Sequence, residues 1–263
     1  MRFFSRLTKK EGYLVLFAGQ SNMVGHRNAV GGCKPVNKDV LAWSHDGGEA
    51  AWRIANLGHS PFNTVPGQPN NPALHFADAL QKATGKTVYL VGRPVNGSTM
   101  LSWSAPDAGN MAAFLKDVAT ALADLKTRTG RDWTADSVLW CQGESDDDGA
   151  TMVKEPKVAS LPDYRREFGR LIDTMRAQPW WSGGTTKVIA AELVDDGWLS
   201  ARNDFYRDPS QWPGGLAMGV SSSAGLSSVG DNAHFDGASL AEIGRRMYAV
   251  RERLVAAGQQ AAD

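Results

Sequence analysis

Five consecutive residues near the start of the chain, Gly19-Gln20-Ser21-Asn22-Met23, follow the apolar run Tyr13-Leu14-Val15-Leu16-Phe17-Ala18. A buried strand that ends in a small, tight turn can hold one serine at a sheet edge. Open α/β sheets bind ligands there, outside the carboxyl ends of their strands. A serine so placed is a candidate nucleophile, provided that a base, an orienting acid and oxyanion donors accompany it. Taken alone, it reads more simply as a helix cap. The pattern lacks the last glycine of the Gly-x-Ser-x-Gly elbow and follows the first strand, which argues against the α/β-hydrolase fold.

A base must come from His26, His45, His59, His75 or His234. His234 lies in Asp231-Asn232-Ala233-His234, and Asp-x-x-His spacing lets the carboxylate fold back onto the imidazole within one turn. Such a carboxylate would fix the tautomer and stabilise the imidazolium. The other four histidines lack a partner pattern and read as surface or structural residues. Oxyanion donors are offered at two places. Val95-Asn96-Gly97-Ser98-Thr99 brings a glycine whose backbone N–H can approach a ligand closely. Trp140-Cys141-Gln142-Gly143-Glu144-Ser145-Asp146 brings the side-chain NH2 of Gln142. Each signal is weak, but all fall at or just after the end of a predicted strand.

The elements that must position these residues alternate. Runs 13–18, 87–91, 137–141, 187–193 and 216–220 read as strands, and 72–84, 110–128, 162–177 and 237–256 read as helices. In the last helix Leu240, Ile243, Met247, Val250 and Leu254 form an apolar stripe, with Asp236 placed as N-cap. The alternation implies a mostly parallel sheet with helices on both faces. Segments 25–71, 142–161 and 196–215 read as loops.

Bulk properties exclude several classes. The chain has 263 residues with 28 basic and 28 acidic side chains, so it lacks the basic excess of a nucleic-acid binder. Cys33 and Cys141 make neither a disulfide framework nor a zinc site. The acidic cluster Glu144, Asp146, Asp147, Asp148 lacks the spacing of a calcium loop, so no metal site is expected. No run approaches the ~20 apolar residues of a membrane span. Residues 1–10 lack the apolar segment of a signal peptide. The expectation is a cytoplasmic protein, or one released by a non-classical or phage-linked route, with residues 1–11 as a flexible N-terminus. Nothing in the sequence speaks to oligomeric state.

Four blocks now stand together: Gly19-Gln20-Ser21-Asn22-Met23, Gly97-Ser98 with Trp103 behind it, Gln142-Gly143-Glu144-Ser145-Asp146, and Asp231-x-x-His234. They resemble SGNH/GDSL-type hydrolases, and more narrowly the carbohydrate-esterase branch that includes sialic-acid O-acetylesterases and acetylxylan esterases. In that branch Gly-Gln-Ser-Asn-Met replaces the Gly-Asp-Ser block, and Gln-Gly-Glu replaces the block that supplies Asn. The blocks run from residue 19 to residue 234 in the family's order. The resemblance implies a three-layer α/β/α, flavodoxin-like fold in one domain over residues 1–263. It implies Ser21 as nucleophile, His234 as base and Asp231 as orienting acid, with Glu144 as a rival or supporting acid. It implies an oxyanion hole from the Ser21 and Gly97 N–H groups and the Gln142 side chain. Gln20, Asn22 and Trp103 are candidates for substrate contact. No metal or organic cofactor is implied.

The function expected is removal of acetyl groups from sugar hydroxyls through an acetyl-serine. Nine tryptophans are present, and Trp103, Trp198 and Trp212 in loop-like segments suit stacking on sugar rings, although core packing explains any one of them as well. The alternatives are a carbohydrate-binding or phage-tail structural protein on the same fold, and a lipase- or thioesterase-like SGNH hydrolase.

Overall fold

The computed structural model describes residues 11–25, 37–46, 48–56, 62, 70–147, 150, 156–195 and 199–260. Lys10 and the residues before it, His26, Cys33, His59, Asp148 and Trp198 lie outside them. Seven strands form one sheet: β1 (Gly12–Gly19), β2 (Val40–Ser44), β3 (Ala51–Ile54), β4 (Thr87–Gly92), β5 (Ala135–Cys141), β6 (Lys187–Ala191) and β7 (Met218–Ser221). Their order is β3-β2-β4-β1-β5-β6-β7. All neighbours are parallel except the β2–β3 pair at one edge. The helices are α1 (Ser21–Val24), α2 (Pro72–Thr84), α3 (Gly109–Thr129), α4 (Leu161–Arg176), α5 (Ser200–Arg207) and α6 (Gly237–Gln260).

The central strands are apolar on both faces because both are covered. Leu14, Leu16 and Ala18 of β1 point into a core shared with Phe114 and Val118 of α3 and Phe168 and Leu171 of α4. Val15 and Phe17 point the opposite way, toward Leu74 and Phe76 of α2 and Leu240 and Ile243 of α6. The result is the three-layer α/β/α arrangement expected. Helices α2 and α6 cross closely at Gly244, where a Cβ would stand 2.3 Å from the Pro72 carbonyl oxygen.

Helix starts follow their capping residues. Asn71 Oδ1 accepts the Ala73 N–H at 2.8 Å ahead of Pro72, and Asp236 Oδ1 accepts the Ser239 N–H at 2.7 Å ahead of α6. The sequence reading differs in detail. Strands predicted at 187–193 and 216–220 occupy Lys187–Ala191 and Met218–Ser221, and the last helix runs on to Gln260. The stretch 25–71, expected to be loop, contains β2 and β3. Both are short, and β3 lies at the sheet edge with half-exposed residues, so neither stands out from the Gly, Asn and Pro around it. The stretch 196–215 contains α5, whose single exposed turns of Arg and Asp mask a buried face of Arg202, Phe205 and Tyr206.

The chain leaves β1 for β2 on one side of the sheet and reaches β5 on the other, so the strand order reverses beside β1. The connections leaving the carboxyl ends of β1, β4 and β5 therefore gather at one switch point. This is where doubly wound sheets form a crevice.

Candidate active site

The turn out of β1 is unusually tight. Gly19 has φ +131°, and a Cβ there would stand 2.0 Å from the Cys141 carbonyl oxygen. Only glycine fits, and the Gln20 N–H then donates to that same carbonyl at 2.8 Å. Helix α1 begins at Ser21, so the Ser21 N–H belongs to the first turn, where no intrahelical acceptor exists.

His234 arrives from the far end of the chain. Its Nε2 lies 2.8 Å from Ser21 Oγ, and its Nδ1 lies 2.8 Å from Asp231 Oδ2. The loop that carries it is pinned by an antiparallel bridge between Ser228 and Phe235 and by the Val229 N–H donating to the His234 carbonyl at 2.9 Å. Asn232 takes φ +57° between the two partners, the one non-glycine residue with positive φ among the described residues. That left-handed residue folds Asp231 back, so that its Oδ1 accepts the backbone N–H of Ala233 at 3.1 Å and of His234 at 2.9 Å. Partial burial alone would raise the Asp231 pKa. The hydrogen bonds from the His234 ring and from these two amides outweigh it and hold the carboxyl down to about 2.

The loop after β4 is stapled to the same strand end. The Val95 N–H donates to the Gly19 carbonyl at 2.9 Å, and Ser98 Oγ donates to it at 3.4 Å. Gly97, between them, is exposed at the carboxyl edge. Gln142 is brought to the same edge but is fully buried. Its Nε2 faces Asp146 Oδ2 at 2.5 Å, the Ser98 carbonyl at 3.1 Å and Gln20 Oε1 at 3.3 Å. The hydrogens of this amide face buried acceptors, which ties Gln142 to the loops around it.

Glu144 is also buried and does not reach the imidazole contact that Asp231 occupies. Its Oε1 accepts from Asn22 Nδ2 at 2.6 Å. Burial raises its carboxyl to about 7 against the opposing help of a backbone amide and Asn22, and Asp146 adds to the rise.

A family model described as "Carbohydrate esterase, sialic acid-specific acetylesterase" matches residues 11–251. The chain belongs to this carbohydrate esterase family. Among solved structures, an Arabidopsis thaliana protein is similar with a TM-score of 0.66 at 18% identity, over 91% of this chain and 98% of that one. A carbohydrate acetylesterase from Xanthomonas citri gives 0.58 at 16% identity, over 93% and 56%. NanS gives 0.57 at 13% identity, over 94% and 98%. At these identities the likeness is one of fold. No curated protein matches the chain. Membership in the carbohydrate esterase family supports a hydrolase acting on ester bonds.

Three residues expected to touch substrate, Trp103, Gln20 and Asn22, are buried in this structure. Trp103 is fully enclosed, edge-on to Phe114 and Trp140, and its Nε1 donates to Ser98 Oγ at 3.0 Å. Gln20 Oε1 accepts the backbone N–H of Gly143 at 3.3 Å and of Ser145 at 3.2 Å, so it shapes the loop after β5. Asn22 is turned inward between Glu144 and the histidine loop.

The sequence reading missed the support beneath the Gln142 block. Tyr206 OH donates to the Gln142 carbonyl at 2.7 Å, and Tyr164 OH donates to Gln142 Oε1 at 2.9 Å. Arg202, fully buried, donates to the carbonyls of Asp146, Val158 and Ala159. Asp146 accepts from the Met100 and Val158 amides at 2.8 and 3.0 Å, linking three loops. The i, i+4 spacing of Arg202 and Tyr206 was the available signal, but it falls in a stretch that reads as loop. Among the described residues, no group of three or more His, Cys, Asp or Glu side chains is arranged to hold a metal ion, and no helix is long and apolar enough to cross a membrane.

Proposed function

We propose that the protein is a serine esterase that removes acetyl groups from sugar hydroxyls through an acetyl-serine intermediate. The reading is carried by one observation, the continuous chain from Ser21 Oγ to His234 Nε2 and from His234 Nδ1 to Asp231 Oδ2, each link 2.8 Å. Those are hydrogen-bonding distances for a nucleophile, its base and an orienting acid.

In the first half-reaction Ser21 Oγ attacks the acetyl carbonyl carbon while His234 Nε2 takes the hydroxyl proton. The tetrahedral intermediate collapses as His234 returns that proton to the departing sugar oxygen, which leaves an acetyl-serine. In the second half-reaction water attacks the acetyl-serine with His234 as base. Acetate leaves, and Ser21 regains its proton. Asp231 remains ionised throughout, holds Nδ1–H and stabilises the transient imidazolium. The developing oxyanion lies against the backbone N–H groups of Ser21 and Gly97. Losing one such donor typically costs about 10²–10³ in rate. Gln142 contributes by fixing the Ser98 carbonyl and Asp146, and with them the loop that carries Gly97.

The carbohydrate substrate is proposed from the family, whose description names carbohydrate esters and a sialic acid-specific acetylesterase. The test is acetate release from acetylated sugars together with a series of model esters from acetyl to octanoyl. The expected outcome is a rate that falls as the acyl chain lengthens. A preference for octanoyl contradicts the acetylesterase reading, and zero rate with every ester contradicts catalysis altogether.

A further inference from the structure

Asn22 follows the proposed nucleophile directly, and none of its surface reaches solvent. Its Nδ2 donates to the Ala233 carbonyl at 2.8 Å and to Glu144 Oε1 at 2.6 Å, and its Oδ1 accepts the Phe235 N–H at 3.0 Å. Ala233 and Phe235 are the residues on either side of His234. One side-chain amide therefore grips the backbone before and after the imidazole. Resting on the triad reading above, we infer that Asn22 is a positioning residue for His234, and that Glu144 acts on the histidine only by fixing which way the Asn22 amide faces.

The chemistry of the three contacts permits one orientation. A carboxamide has a donor end and an acceptor end. Flipped, its oxygen would face the Ala233 carbonyl and Glu144 Oε1, and its NH2 would face the Phe235 N–H. Every contact would then pair like with like in a site without water access, at the cost of unsatisfied buried polar groups. An aspartate at position 22 would have no donor for Ala233 and would oppose Glu144. A leucine would leave Phe235 N–H and Ala233 C=O without the grip.

Glu144 serves this role in either ionisation state. Its Oε2 is buried and has no hydrogen-bond partner among the described residues, so a proton on that oxygen would leave the Asn22 contact at Oε1 intact. Oε1 remains an acceptor for Asn22 in both forms. The raised pKa of this carboxyl, caused mainly by burial, fits a group selected as an acceptor and not as a charge. An acid that supported the imidazolium directly would need to stay ionised, as Asp231 does.

The experiment measures kcat and KM for a small acetyl ester with the Asn22→Ala, Glu144→Gln, Glu144→Leu and Ser21→Ala variants, each first checked for folding by circular dichroism. Misplacing a catalytic group by about 1 Å typically costs about 10² in rate. Asn22→Ala is expected to lower kcat by about that factor while KM stays within about threefold, because the substrate does not touch Asn22. Glu144→Gln keeps an acceptor toward Asn22 and is expected to lose less than about tenfold. Glu144→Leu removes the acceptor and is expected to fall with Asn22→Ala. Should Asn22→Ala fail to fold, the Glu144 pair decides. Near-normal kcat in Asn22→Ala beside an inactive Ser21→Ala overturns the inference alone. A Glu144→Gln as impaired as Glu144→Leu also overturns it, since a charge would then be needed. Full activity in Ser21→Ala overturns the triad reading, and the inference with it.

Discussion

Asp231 Oδ2 meets His234 Nδ1 at 2.8 Å from only three residues earlier in the chain, while its other oxygen holds the backbone of the same turn. One short loop thus supplies both the proposed base and its proposed orienting acid, and the carboxylate fixes the loop that presents it. Asp231→Asn keeps the shape but offers the imidazole the wrong hydrogen-bonding partner. It is expected to lower kcat by about 10³–10⁴ with little change in fold. Steady-state kinetics beside Glu144→Gln check this. A larger loss in Glu144→Gln than in Asp231→Asn would move the acid role to Glu144.

Two buried groups give the folded state opposite pH dependences. Glu144 is raised from 4.5 to about 7, chiefly by burial. The folded chain therefore holds this proton where the unfolded chain has released it. Its contribution is fully present below about 4.5 and is lost as pH rises through about 7, a change on the order of 3 kcal/mol. Glu144→Gln should accordingly gain stability relative to the native chain between those values. Urea denaturation midpoints across that range measure the difference, and a constant difference contradicts it.

His75 moves the other way. Burial, aided by Arg245 and Lys82 and opposed by Asp78, lowers its pKa from 6.5 to about 4. The unfolded chain takes up this proton first, so stability is full above about 6.5 and falls as pH drops through about 4. A His75→Gln variant should lose less stability on acidification than the native chain over that window. Equal losses in denaturation experiments contradict the assignment of His75 as a buried neutral base.

The placement of Trp103 makes a separate prediction. Enclosed by Phe114 and Trp140, it braces the loop after β4 and cannot stack on a sugar. Trp103→Phe removes the bond to Ser98 and some volume, and is expected to cost about 1–3 kcal/mol of stability. KM for an acetylated sugar should stay within about twofold in the folded fraction. A selective rise in KM without loss of stability would return Trp103 to the substrate site.

Much of this architecture was legible in the sequence because it rests on local signals. The apolar run before Ser21, the Asn71-Pro72 and Asp236 helix starts and the 3.6-residue stripe of α6 are written within single elements. Asp231 and His234 were legible for the same reason, being three residues apart. What was not legible depends on distance in the chain. Asn22 reaches across to residues 144, 233 and 235, and Gln142 is held by side chains at 98, 146 and 164. The motif blocks name such polar residues without showing how deeply each is buried or which distant backbone it holds. The edge strand β3 escaped because its half-exposed residues carry little apolar pattern.

The central claim is that Ser21 carries the acetyl group. It is tested most directly by quenching the protein with acid during turnover of an acetyl ester and weighing its peptides. The account predicts the mass of one acetyl group on the peptide bearing Ser21, and neither adduct nor hydrolysis in Ser21→Ala. Acetyl on another residue, or normal hydrolysis by Ser21→Ala, would contradict it.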